Sequence, residues 1–166
     1  YDAVGRECRN YVPVPGNGLE HMTESNFSSK AYYYMDSSGY TQNHYDALGR
    51  VTAVDIAGDK WKSAGKQNST EYLANTSDDK VFHYEAPVGD SNSLTSPEST
   101  SYTYYPAGTL TKVVSRDAER KSVTVFTDFF GNKILERTAA GDTYYIYNHR
   151  GLLRFVLPPE SKNNYA

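Results

Sequence analysis

The chain has 166 residues, 17 basic and 20 acidic side chains, a formal net charge of −3 and one cysteine. That length suits one domain or a piece of one, and without a basic excess there is little of the phosphate-neutralising charge that nucleic-acid binding requires. No apolar run approaches the length of a membrane-spanning segment. Leu, Ile, Val and Phe make up about 18% of the chain, near the ~20% level at which disorder becomes an option for highly charged sequences. Sixteen tyrosines offset that shortage, because each brings a large buriable ring with a polar tip. The composition therefore predicts a thin, β-rich fold whose core is largely tyrosine and valine.

Taken in chain order, turn signals alternate with strand-like segments. Tyr1-Asp-Ala-Val-Gly-Arg6 opens the chain with a turn, and residues 16–29 are irregular, with one helical turn expected at 19–24. Strand-like residues 31–35 lead to turns at Asp36/Gly39, Asp46/Gly49 and Asp55/Gly58. Residues 63–79 and 89–101 are polar and predict long surface loops on either side of a strand near 80–86. Strands are expected at 101–105, 123–127, 144–147 and 152–157. Between them come turns at Gly108, at a degenerate Asp117-Ala-Glu-Arg120, at Asp128/Gly131 and at Asn148/Gly151, and residues 159–166 form a tail.

Asp-x-x-Gly occurs five times, against about 0.8 expected from composition. The motif has a physical reason. Asp or Asn at the first position of a type I turn accepts an amide two residues on, and glycine at the fourth adopts the left-handed backbone. A type I turn followed by a left-handed residue is the common three-residue hairpin with a glycine bulge. Recurring at nine- to ten-residue intervals, such turns predict an all-β meander of antiparallel hairpins with long loops and little or no helix. The organisation expected is a single fragment, 1–166, with hairpins in 1–62, a loop-rich insertion at 63–100 and a second hairpin array at 101–158. The tyrosines before each turn (Tyr1, Tyr45, Tyr147) are expected to stack into a ladder. Gly131→Val should destabilise, whereas Asp79→Ala, in a loop, should matter little.

Tyr1-Asp-Ala-Val-Gly-Arg6 and Tyr45-Asp-Ala-Leu-Gly-Arg50 resemble the YD-repeat signature of bacterial RHS proteins. The later run from Tyr104-Tyr-Pro-Ala-Gly-Thr-Leu110 through Asp128-Phe-Phe-Gly-Asn-Lys-Ile134 and Asp142-Thr-Tyr-Tyr-Ile-Tyr-Asn148 to Gly151-Leu-Leu-Arg-Phe-Val-Leu-Pro-Pro159 is more specific. It looks like an uncharacterised domain found upstream of the main repeat array in one subgroup of large RHS surface proteins. The resemblance implies a piece of a very large secreted or cell-surface protein. In that family YD repeats build a β-sheet shell around a C-terminal effector, often a toxin, and are associated with carbohydrate binding. The expected partners are flanking repeats of the same polypeptide, a glycan or an enclosed effector, with edge-strand self-association of the isolated piece. The family's aspartyl self-cleavage site lies near Asp-Pro, a pair absent from this chain.

Reaction chemistry has little support in the residues. Gly65-Lys66-Gln67 lacks the glycine cradle and hydroxyl of a phosphate loop. His21, His44, His83 and His149 have no paired spacing, and Cys8 stands alone, so no metal or other cofactor is expected. No Gly-x-Ser-x-Gly elbow is present, and five of eleven aspartates are accounted for by turns. The primary expectation is a non-enzymatic structural module. The alternative is a carbohydrate- or receptor-binding module using Trp61 and the tyrosine clusters at 32–34, 102–105 (Tyr104 and Tyr105 above all) and 144–147, and the second alternative is a hydrolase. Three Asn-x-Ser/Thr sequons, at Asn26, Asn68 and Asn75, fall in segments read as loops and are ascribed to chance.

Overall fold

The computed structural model describes residues 1–13, 23, 25–27, 29–30, 39–86, 94 and 103–159. Nine strands follow one another in the sheet in chain order, an antiparallel meander. They are β1 (Arg9–Tyr11), β2 (Tyr40–Tyr45), β3 (Val51–Asp55), β4 (Gln67–Ala74), β5 (Thr111–Arg116), β6 (Ser122–Thr127), β7 (Lys133–Thr138), β8 (Gly141–Tyr147) and β9 (Leu153–Leu157). The described helix is short: α1 (Asp59–Ser63) and one 3₁₀ turn at Ser77–Asp79, with helical backbone also at 25–27 and 29–30. Among the described residues no helix is long and apolar enough to cross a membrane. The chain divides into two compact units, residues 1–70 with 116–121, and residues 71–115 with 122–166.

One turn design is used five times. At Asp2, Asp46, Asp117, Asp128 and Asn148, Oδ1 accepts the amides of residues two and four further on, at 2.8–3.0 Å. The backbone closes each turn with a bond from the fourth residue's amide to the first residue's carbonyl. That fourth residue is left-handed throughout, at φ +81, +80, +86 and +72 for Gly5, Gly49, Gly131 and Gly151, and +65 for Arg120. The bulge predicted beside such turns is present. Register shifts between His44 and Tyr45, Phe126 and Thr127, and Ile146 and Tyr147.

In the first unit β2 pairs with β1 and β3, and β3 pairs with the start of β4. Among its described residues no apolar side chain is fully buried. Cations stacked on tyrosines cover the sheet instead: Arg6 lies 4.4 Å from the Tyr45 ring centre, and Arg9 and Lys62 lie 4.6 and 3.4 Å from that of Tyr40. The tyrosine ladder does not form there, because Tyr45 takes Arg6 as its stacking partner and Tyr1 is 89% exposed. Cys8 is half-buried and free, and its carbonyl accepts the Asn43 amide.

In the second unit β6–β9 pair in sequence. Phe126, Leu135, Tyr144, Ile146 and Leu157 from these strands bury against Val81 and Leu110. Burying each such side chain contributes about 1.5–3 kcal/mol. Residues 75–86 and 103–110 are held in place by polar side chains. Asn75, 3% exposed, accepts the Leu110 amide and donates to the Pro106 carbonyl, while the Tyr144 hydroxyl accepts the Phe82 amide at 3.4 Å.

Several expectations are revised. Residues 67–74 form the longest of the described strands, although 63–79 reads as a loop. Its residues are polar because much of the strand is exposed, so the burial signal that marks most strands is missing. Residues 80–86 carry isolated bridge positions at Phe82, paired with Tyr104, and at Glu85 in place of a strand, and 103–105 contain only the Tyr104 bridge. Asp55/Gly58 is no hairpin turn. Asp55 lies in β3 with its carboxylate on His44 Nε2 at 3.0 Å, and Gly58 starts α1. Gly108 is left-handed, but its amide bonds to the Asn75 carbonyl, a partner distant in sequence. Asn68 lies in β4 and Asn75 is buried, so neither sequon sits in an open loop. Gly39 is buried and its carbonyl accepts the Val12 amide. Asp36, the strand at 31–35, the helical turn at 19–24, the loop at 89–101 and the tail at 160–166 fall outside the described residues, save Thr23 and Leu94.

Asp79 also departs from expectation. Its Oδ2 accepts the Thr76 amide at 2.7 Å, Oδ1 binds Lys112, and its carbonyl accepts Arg137 Nη1 at 3.1 Å. Burial works against its charge, but Lys112 and the Thr76 amide outweigh that and hold the carboxyl below the usual aspartate value. Asp79→Ala should therefore cost about 2 kcal/mol, comparable with the about 1–2 kcal/mol that a left-handed β-branched residue costs in Gly131→Val. Because the folded pKa is depressed, the Asp79 contribution is present above about pH 4 and is lost as pH falls further. Urea unfolding of both variants at neutral and acid pH checks this; an unchanged midpoint for Asp79→Ala at neutral pH would refute it.

Candidate functional site

Within the second unit a cleft of about 710 Å³ opens where two turn tips and one irregular segment meet. The Asp128 turn supplies Phe130 and Asn132, the Asn148 turn supplies His149 and Arg150, β8 supplies Tyr145 and Tyr147, and residues 83–86 with Tyr105 form the remaining wall. On β8 Tyr144 and Ile146 are buried and Tyr145 between them faces the other way, while the register shift between Ile146 and Tyr147 breaks the alternation and leaves Tyr147 half-buried against the edge of the core. Tyr105 is anchored by its amide on the Val81 carbonyl, and its ring meets His83 edge-on at 4.7 Å.

The electrostatics are mild. Burial pushes the His83 pKa down, and Glu85, whose carboxylate lies 3.6 Å from His83 Nδ1, only partly opposes this. Asp128 is committed to its turn: Oδ1 takes two amides and Oδ2 accepts Asn132 Nδ2 at 2.9 Å. Lys133 caps the face of Tyr145 at 4.3 Å, and its pKa is raised by its bond to Glu136 and by Tyr145. Among the described residues no group of three His, Cys, Asp or Glu side chains converges as a metal site would require. The cleft thus offers aromatic walls with a few polar groups, an arrangement suited to holding a ligand.

Of the residues singled out from sequence, Tyr105 lines this cleft. Tyr104 is 41% exposed and stacks on Phe82 at 4.9 Å. Trp61 is 45% exposed on α1 in the first unit. The tyrosine cluster at 144–147 brings Tyr145 and Tyr147 to this cleft, whereas Tyr32–Tyr34 and Tyr102 lie outside the described residues; His83, read from sequence only as an unpaired histidine, joins the cleft through the tertiary fold.

A family model described as a domain of unknown function (DUF6443) matches residues 1–74. The match covers β1–β4 with the Asp2 and Asp46 turns, and the cleft lies outside it. No curated protein matches the chain.

Since the fold disfavours protonated His83, the unfolded chain binds that proton first and stability should fall as pH drops below about 6.5. His83→Gln should flatten this dependence between about pH 7.5 and 5. Thermal unfolding across that range checks the assignment, and parallel curves for the two proteins would refute it.

Proposed function

We propose that this chain is a non-enzymatic structural β-sheet module of the RHS/YD-repeat type, one stretch of a shell or stalk in a large secreted or cell-surface bacterial protein. The observation that carries the reading is the repeated turn. One Asx-based design recurs five times, and four of these turns join consecutive antiparallel strands of a meander. Such a design adds hairpins one at a time, with each new strand burying against the last. The module's role is geometric: turn aspartates and glycines set the pitch, and the terminal strands pair with neighbouring repeats of the same polypeptide. An enclosed effector is the second partner of this reading.

A ligand-binding role is the second reading, favoured by the aromatic walls of the cleft around Tyr105, Tyr145 and Tyr147. A glycan array with wild type, Tyr105→Ala and Trp61→Ala separates the two. Signal lost with Tyr105→Ala supports the cleft, and no signal from any of the three leaves the scaffold.

The scaffold reading makes its own demand. Among the described strands β9 pairs only with β8, and it displays Leu153 and Val156 at 49% and 47% exposure. An open edge strand that displays apolar side chains can pair with another chain, and Arg154 is the one charge β9 sets against this. Concentration-dependent association is therefore expected in light scattering, suppressed by Val156→Lys. A strict monomer at high concentration, with slowly exchanging β9 amides, would sink this reading.

A further inference from the structure

The five Asx turns make the same hydrogen bonds, but only four carry glycine at the left-handed position. The fifth carries Arg120 at φ +65. A Cβ there strains the backbone, and glycine serves the same bonding pattern in the other four turns without strain. The turn itself gives no reason for arginine. A side chain kept at a strained position points to a use for that side chain.

That side chain lines a polar cleft of about 590 Å³ in the first unit, together with Lys66, Gln67, Ser69, Arg116 and Asp117. Lys66 and Arg120 thus face one carboxylate, that of Asp117, in a chain whose net charge is −3. Asp117 Oδ1 is already held by the Glu119 and Lys121 amides. Lys121 is paired with Glu119 at 2.8 Å, so it does not answer the cleft's charge. Among the described residues Lys66 and Arg120 have no anionic partner.

We propose that this cleft is an oxyanion site, taking a phosphate or sulfate group on a small ligand, with Arg120 and Lys66 as its principal charges. Arginine supplies a planar fork matched to two oxygens, lysine a mobile point charge, and Gln67 and Ser69 neutral donors. The site lies in the other unit from the aromatic cleft and does not depend on the scaffold reading.

The test uses the full chain, titrated with sodium phosphate and sodium sulfate against sodium chloride at matched ionic strength, with thermal unfolding and calorimetry as readouts. The oxyanions should stabilise the wild type beyond chloride. In chloride, Arg120→Gly should unfold about 2–4 °C higher, since strain is relieved. The same variant should bind the oxyanion at least tenfold more weakly, a difference of about 1.4 kcal/mol. Lys66→Gln should weaken binding similarly without the gain in stability. An equal oxyanion effect in wild type and Arg120→Gly would overturn the proposal, as would no effect beyond chloride in the wild type or a lowered Arg120→Gly midpoint in chloride. A phosphorylated and a sulfated monosaccharide, compared in the same assay, distinguish the two carriers; binding of either supports the site.

Discussion

The fold depends on one oxygen atom used in the same way at five places. A hairpin end leaves backbone amides turned away from the sheet, and an unpaired amide is costly wherever water is scarce. At Asp2, Asp46, Asp117, Asp128 and Asn148 a single Oδ1 accepts two of them, fixing the turn before any tertiary contact is needed. The second carboxylate oxygen is then available to the outgoing strand. Arg6 Nε at 2.6 Å, Arg50 Nε at 2.7 Å and Asn132 Nδ2 at 2.9 Å use it. The Y-D-x-x-G-R pattern is thus one local network, in which the arginine reads the same aspartate that caps the turn. Its guanidinium at Arg6 also covers the Tyr45 ring, linking two neighbouring turns.

The two units meet the problem of a thin sheet differently. The second buries Phe126, Leu135 and Tyr144 almost completely and clamps residues 75–86 and 103–110 over them through Asn75, Asp79 and the Tyr144 hydroxyl. Among its described residues the first has cation–π stacks and half-exposed ion pairs in place of buried apolar residues. A stacked cation at an exposed site contributes about 0.5–1 kcal/mol and a surface ion pair about 0–1 kcal/mol. A fully buried large apolar side chain contributes about 1.5–3 kcal/mol. Local opening therefore costs less in the first unit, where side-chain contacts are individually weak.

What could be read from sequence was what is local. The Asx turns at Asp2, Asp46, Asp128 and Asn148 need only four or five consecutive residues, and the meander follows from their spacing. The misreadings share a cause: each needed a distant partner. Asp55 looks like a turn residue until His44 is beside it; Gly108 lacks an upstream Asp because Asn75 supplies the bonds; Asp79 looks like loop until Lys112 and Arg137 converge on it. Strand β4 was hidden for the opposite reason, since an exposed polar strand leaves no periodic trace. The cleft was half legible. Tyr105 stood out by composition, but its wall of Tyr145, Tyr147 and His83 exists only once β8 lies beside residues 83–86.

The choice between aspartate and asparagine at the head of a turn is not neutral. Asp2 and Asp46 are held below the usual aspartate value, first by the amides of Arg6 and Arg50 and then by their guanidinium groups. A carboxylate shifted in this direction stabilises the fold above its unfolded pKa and ceases to do so as acid protonates it. Asn148 makes the same two amide bonds with an oxygen that never titrates, and Leu152 follows where the other turns place a donor. Its turn forgoes the charge-assisted bond to the outgoing strand, and the adjacent β9 obtains its stability from Leu157 buried in the core instead. Turn chemistry and core depth therefore combine differently from corner to corner: Asn148 relies on its amide oxygen and on Leu157 in the strand that follows, whereas Asp128, between the buried Phe126 and Leu135, keeps a carboxylate that also bonds Asn132.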